Sequence, residues 1–413
     1  MALTAIYGVV LAIHFVSVNA SGHAETDLAA INLAQRGYIG NPYGPITGPT
    51  AHVPPGLIVI MAAVYRLLGP ATPIALIALS SINIIIYFST QYVLVKILDI
   101  RRAPAIGYLV LAGLFLVTMT SIYENTIAYR QWDQPYSALV LILAWMVAEM
   151  AFARPAQYKD VAWLGLLAVV GSLFSVAVVP AIIAVAALVI WQMAPAKKRL
   201  VAAAMGVAIV VAGMLPWAVR NEIMLHKFIL TRSNFPLEFA LGNMPGANDG
   251  LTGNMEEFVS HHHPSFSKEA AQDMARLGEA QFMQDIATLS YSYVWAHPAE
   301  FARLTLLRIR YLIIPSIRMV YWHPLIGAPV ILASLMVLAL LHWASLGAAW
   351  WLDRTLFYRG VALTVVPLLP YIITHVEYRY IYIINFTVMI LIVLAVLKLL
   401  EIRAAHRPAL RLR

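Results

Sequence analysis

Long apolar runs, broken at intervals by short polar stretches, dominate the chain. A membrane-spanning helix needs about 20 predominantly apolar residues. On that measure ten segments are expected to cross: residues 2–20, 73–97, 103–120, 135–152, 161–173, 175–193, 199–219, 324–347, 360–374 and 381–400. The fifth and sixth are short and separated only by residues 172–174, which predicts a tight helical hairpin. The run over 3–18 lacks a basic start and a small-residue cleavage site, so it reads as a first span kept in the mature protein and not as a signal peptide. The expected fold is an all-α polytopic membrane protein with about ten transmembrane helices, forming one domain over 1–413.

Between spans, residues 25–36 predict a short helix, and 54–68 a second one opened by Pro54-Pro55 and closed by Gly69. The second is short for a span and is expected to lie along the interface. Residues 234–253 are polar and glycine-rich, a helical stretch starts near Ser267, and 299–316 form an amphipathic helix with Arg303, Arg308 and Arg310 among leucines and isoleucines. Such a helix suits an anionic membrane surface or a lipid phosphate.

Composition agrees: of 413 residues 61% are hydrophobic and 12% charged, with a mean hydropathy of +0.77, far from a soluble protein of this size. Cysteine is absent, which excludes disulfides, thiolate metal sites and a cysteine nucleophile. The net charge of +8 forms no aromatic-interleaved basic patch, so nucleic acid is not an expected partner. Lysine and arginine instead mark alternate connections: Lys96, Arg101 and Arg102; Arg154 and Lys159; Lys197, Lys198 and Arg199; Arg354 and Arg359; and the tail from Lys398. Basic residues of short loops stay cytoplasmic, which places both termini in the cytoplasm of a bacterial inner (plasma) membrane protein. The opposite, periplasmic face then receives a first loop over 21–72, a short loop over 121–134, a long loop over 217–323 and a turn over 375–380. These hold nearly all the histidines and most of the acids.

Three acids stand at the expected boundary of membrane and water: Glu25 and Asp27 after the first span, Glu124 after the third. Each is a candidate catalytic carboxylate. The alternative for Glu25 and Asp27 is an acidic first helical turn, against which two carboxylates at one membrane boundary favour function; for Glu124 it is a solvated residue or a partner for Arg130. Two residues apart on a helix, Glu25 and Asp27 face different ways, so one of them is expected to meet a substrate. Arg220 and Asn221 either hold a phosphate or anchor a span end; Arg379 either pairs with Glu377 or meets a lipid phosphate. Tyr378, His52 and His263 complete the substrate-binding candidates, His52 against a plain turn role and His263 against a solvated His261-His262-His263 loop. Consecutive histidines cannot all turn to one ion, and no zinc spacing, nucleotide loop or Ser-His-Asp order is present. With cytoplasmic loops too short for a nucleotide-sugar domain, an activated sugar would have to arrive on a lipid.

Four stretches, taken in order, resemble the GT-C class of membrane glycosyltransferases, in particular bacterial family 39 members related to protein O-mannosyltransferases and the lipid A aminoarabinose transferase. They are AETDLAAINLAQRGYIGNPYGPITGPTAHVPPGLIVIMAAVYRLLG (24–69), PWAVRNEIMLHKFILTRSNFPLEFALGN (216–243), HHPSFSKEAAQDMARLGEAQF (262–282) leading to HPAEFARLTLLRIRYL, and EYRY (377–380). The resemblance implies an inverting transferase that moves a sugar from a polyprenyl-phosphate donor to a lipid, glycan or protein acceptor at the periplasmic face. It puts the general base at Glu25 or Asp27, a second acid at Glu124, and the donor phosphate near Arg220 and Arg379. Some class members use a divalent metal and others none, and the sequence contains no ligand set that decides. The stretch after the tenth expected span is short, where many relatives carry further spans or a soluble domain that contributes to acceptor recognition. The alternative reading is a secondary transporter or flippase of a lipid-linked sugar, which predicts mid-span charges and an internal repeat; no repeat is found and the span centres are nearly uncharged. A non-catalytic subunit that only binds a lipid-linked sugar is a third reading.

Overall fold

A computed structural model describes residues 25–127, 132–247, 258–316 and 328–405, with side chains throughout these except 119–127, 328, 329 and 378. Among the described residues every regular element is helical: α1 (Glu25–Arg36), α2 (Pro55–Leu68), α3 (Pro73–Ile100), α4 (Ala105–Ile127), α5 (Gln134–Phe152), α6 (Tyr158–Ser172), α7 (Val179–Trp191), α8 (Ala196–Leu225), α9 (Phe235–Asn243), α10 (Lys268–Leu277), α11 (Glu279–Ala296), α12 (Pro298–Ile313), α13 (Ala328–Leu352), α14 (Arg354–Ile373) and α15 (Tyr378–Ala405). The polar segment at 234–253 holds a helix the sequence pattern did not suggest, α9, with Pro236 in its first turn, where the missing N–H costs nothing.

Among the described residues six helices are long and apolar enough to cross a membrane: α3, α5, α8, α13 from Val330, α14 and α15 from Arg379. Of the other four expected spans, 2–20 lies outside the described residues. The remaining three fall on α4, on the fifteen-residue α6 and on Val176–Trp191, of which the last two are short for a span.

The main core is a bundle in which α15 is the axis, 78% of its span window buried, against 11% for α8 at the periphery. α8 reaches the bundle through small residues: a Cβ added at Gly206 would meet Val161 at 3.2 Å, and at Gly213 would meet Val169 at 2.5 Å. Close backbone approach through glycine is the usual way to pack helices where lipid gives no hydrophobic drive. α14 is irregular for an identifiable reason: Pro367 has no N–H for the carbonyl of Leu363, and Thr387 of α15 donates to that oxygen instead at 3.0 Å.

Two smaller cores lie against the bundle. α1 and α2 pack through Ala29, Ala30, Leu57, Ile58 and Met61 onto Leu79 and Tyr136. α9, α10 and α11 form a cap around Leu237, Met274, Phe282 and Ile286, which also takes in Tyr43. The polar candidates collect in the seam where bundle, α1–α2 layer and cap meet. Toward the far end of α5, roughly 22 Å from Gln134 at 1.5 Å per residue, Glu149 is buried between Arg101 and Arg359. The acid-rich seam and the basic helix ends are thus at opposite ends of one spanning helix.

Candidate functional site

The loop between α1 and α2 is held from three sides. Internally, Asn41 accepts from the Gly48 N–H and donates to Asn32, each at 2.8 Å. From α8, Arg220 donates to the carbonyls of Thr50 (2.8 Å) and Ile39 (2.6 Å), clamping both arms. From α11, the buried carboxylate of Glu279 accepts from the Thr50 hydroxyl, the Ala51 N–H (2.7 Å) and the Ser233 hydroxyl (2.6 Å). The chain leaving α8 is fixed in the same manner. Asn221 donates to the Ile229 carbonyl (2.8 Å) and Trp217 to that of Thr231 (2.6 Å), which delivers Arg232 to the His52 carbonyl at 2.8 Å. His52 is therefore placed by backbone bonds that leave its ring free to act.

That ring meets Glu25 at the start of α1, with 2.9 Å from Nε2 to Oε2. The Tyr43 hydroxyl lies 2.8 and 2.9 Å from the two ring nitrogens. On the other side of Glu25, His263 Nε2 approaches Oε1 at 3.7 Å and the Ser265 hydroxyl donates to it at 3.3 Å. His263 is buried while His261 and His262 are exposed, so one of the three histidines turns inward. Burial alone would raise the Glu25 carboxyl, but His52, His263 and Arg232 more than offset it and hold it at about 2. The same burial, with the Glu25 charge, pushes the Tyr43 phenol well up, and burial pushes His263 down.

Asp27 is on another face of α1. It is buried and accepts a hydrogen bond from the Tyr65 hydroxyl of α2.

The bundle side of the seam is built by the turn before α15. Arg379 pairs with Glu377, lies 4.2 Å over the Trp132 ring and donates to the Tyr380 hydroxyl at 3.3 Å. His375, buried, sits between two carboxylates: Nδ1 is 3.6 Å from Glu238 and Nε2 is 3.5 Å from Glu377, with the Tyr380 hydroxyl at 3.0 Å. Burial would raise Glu377; Arg379 and His375 bring it to about 2. Asp133, just before α5, goes the other way, its carboxyl raised by burial despite Arg232 and Arg379. Arg232 acts on both halves of the site, favouring ionised Glu25 and ionised Asp133. Its Nε is bonded to His52, and its terminal nitrogens make no hydrogen bond among the described residues.

Of the candidates taken from the sequence, the structure gathers Glu25, His52 and His263 at one centre and Arg379 at its bundle side. Arg220 and Asn221 are spent on backbone carbonyls. The side chains of Glu124 and Tyr378 lie outside the described ones. Tyr43, Asp133, Arg232, Glu238 and His375 were not singled out by sequence reasoning. Asp133 had a local signal, an acid immediately before a proline-opened helix; Arg232 and Glu238 join the site through contacts distant in the chain, whereas Tyr43 meets nearby His52 and His375 meets nearby Glu377. Among the described residues no group of three or more histidine or acidic side chains is arranged to hold a metal ion. No family model, curated protein or solved structure matches the chain.

Proposed function

We propose that this protein is a glycosyltransferase that moves a sugar from a polyprenyl-phosphate donor to an acceptor hydroxyl, with inversion at the anomeric carbon. The observation that carries the reading is the Glu25 centre: a carboxylate kept ionised beside His52 and His263, next to an arginine whose terminal nitrogens make no hydrogen bond among the described residues, at the end of a membrane bundle. The acceptor oxygen attacks the anomeric carbon as the carbon–phosphate-oxygen bond breaks, and the acceptor proton passes to Glu25. A carboxylate this acidic takes the proton late, once bond formation has made the hydroxyl acidic. The bonding pair leaves with the phosphate, whose charge meets Arg232 and Arg379. Glu25 suits the base role better than Asp27, which is closed behind Tyr65.

The basic helix ends support a cytoplasmic position for Arg101, Arg154 and Arg359 and, with it, a periplasmic position for the Glu25 centre of an inner-membrane protein. A lipid-linked donor suits that place, because its tail stays in the bilayer while the sugar reaches the seam. The test is incubation of the purified protein with a panel of polyprenyl-phosphate sugars and membrane lipids, followed by mass spectrometry. A sugar-sized mass gain on an acceptor that Glu25→Gln abolishes supports the reading. No gain with any donor, or full transfer by Glu25→Gln, overturns it.

A further inference from the structure

At the basic end of the bundle, away from the Glu25 centre, the ends of α3, α5 and α6 leave a cavity of about 550 Å³, within the roughly 300–1,000 Å³ range of small-molecule sites. Its floor is apolar, made by Ile100, Met150 and Ala153, and Trp163 stands at its side, 56% exposed. Its rim is cationic. Arg154 is oriented by a two-pronged bond to Asp160 (2.9 and 2.6 Å), with its Nε–H unused among the described residues, and exposed Lys159 has no acidic partner among them.

We propose that this cavity binds the headgroup of an anionic phospholipid, the phosphate at Lys159 and Arg154 and the glycerol end on the Ile100–Met150 floor. Charge selects the class of ligand: the two cations exceed the one acid, Asp160, which is already committed to Arg154. The apolar floor and Trp163 select a lipid over a soluble anion. One turn beyond Trp163 on the same face of α6, Leu166 is also exposed, so an acyl chain can run from the cavity along the helix into the bilayer. Tryptophan at the boundary and lysine just outside it are the side chains expected around a lipid headgroup. The inference is independent of the chemistry at Glu25.

The test is native mass spectrometry of the delipidated full-length protein titrated with phosphatidylglycerol, phosphatidylcholine or glycerol phosphate. One phosphatidylglycerol should be retained in preference to phosphatidylcholine, and glycerol phosphate should not displace it. Lys159→Gln should weaken that retention about fivefold, the factor for about 1 kcal/mol per basic residue at a lipid surface. Lys198→Gln, which removes an exposed lysine from the start of α8, should leave it unchanged. Equal losses in the two variants would reduce the effect to general surface charge, and equal retention of phosphatidylcholine would remove the headgroup selectivity. Displacement by glycerol phosphate would make it a soluble-anion site. Any of the three overturns the proposal.

Discussion

The imidazole of His52 contacts the carboxylate of Glu25 at 2.9 Å across 27 residues of chain, and it does so from a backbone fixed by Arg232. Two consequences separate chemistry from stability. Glu25→Gln should lower transfer by about 10²–10⁴-fold, the usual worth of a positioned acid–base group, measured as kcat/KM for the donor that works. In stability, the folded carboxyl at about 2 is below its ordinary 4.5, so its contribution is fully present above pH 4.5 and lost as pH falls toward 2. The thermal midpoint of the wild type should therefore drop through that window more steeply than that of Glu25→Gln.

Arg232 links the two halves of the seam. Arg232→Gln removes a charge that favours ionised Glu25, so the acid limb of the transfer profile should move upward from about 2. Loss of one donor to the leaving phosphate should also cost about 10²–10³-fold at neutral pH. A pH series of kcat/KM for both proteins reads both effects; an unmoved acid limb would show that Arg232 does not hold Glu25 ionised, and an unchanged rate at neutral pH that it does not meet the leaving phosphate.

At the other end of α5, Glu149 accepts from Arg101, Arg359 and the Trp145 indole, and both it and Arg359 are 1% exposed. Removing one member of a buried ion pair costs about 3–5 kcal/mol, because the survivor is left uncompensated, whereas an apolar replacement of both is often neutral. Glu149→Gln should lower the thermal midpoint sharply in detergent, and the double variant Glu149→Leu, Arg359→Met should recover most of the loss. Neither site touches the seam, so the double variant should keep its transfer rate.

What could be read from the sequence follows from which constraints are local. A bilayer demands long apolar runs, so α3, α5, α8, α13 and α15 are visible as hydrophobic periods, and Pro54-Pro55 with Gly69 bracket α2. α14 is visible too, despite its break at Pro367, but where a helix is short, as α6 is, the same rule loses its grip and the number of crossings does not follow. In the seam, Glu25 was visible because it follows an apolar run. His52 and His263 were visible as candidates, but the residues that hold the site together were not: Arg232 reaches His52 across 180 residues and Glu279 reaches Thr50 across 229. No local pattern encodes such pairs. Arg220 and Asn221 are instructive in the same way: an Arg-Asn pair at a span end looks like a phosphate site, but in the fold its donors are needed by loop carbonyls that would otherwise be buried without partners.

Gly242 tests whether the cap must press on the bundle for the site to form. The C-terminal end of α9 abuts the turn before α15: a Cβ at residue 242 would lie 1.9 Å from the Thr374 carbonyl oxygen and 2.6 Å from its carbon, both backbone atoms with nowhere to retreat. The contact is locked on both sides, since Asn243 donates to the Ile373 carbonyl at 2.8 Å and buried Arg308 donates to the Gly242 carbonyl. Gly242→Ala must therefore push residues 373–375 away from α9, and His375 moves with them, off its place between Glu238 and Glu377. Transfer should fall at least tenfold, the cost of a misplacement of about 1 Å being as much as 10²-fold, with a lower thermal midpoint. Gly347→Ala is the matched control, because a Cβ there meets nothing within 4 Å; it should leave rate and midpoint unchanged. If Gly242→Ala behaves like Gly347→Ala, the close approach of cap and bundle is not what sets the position of His375.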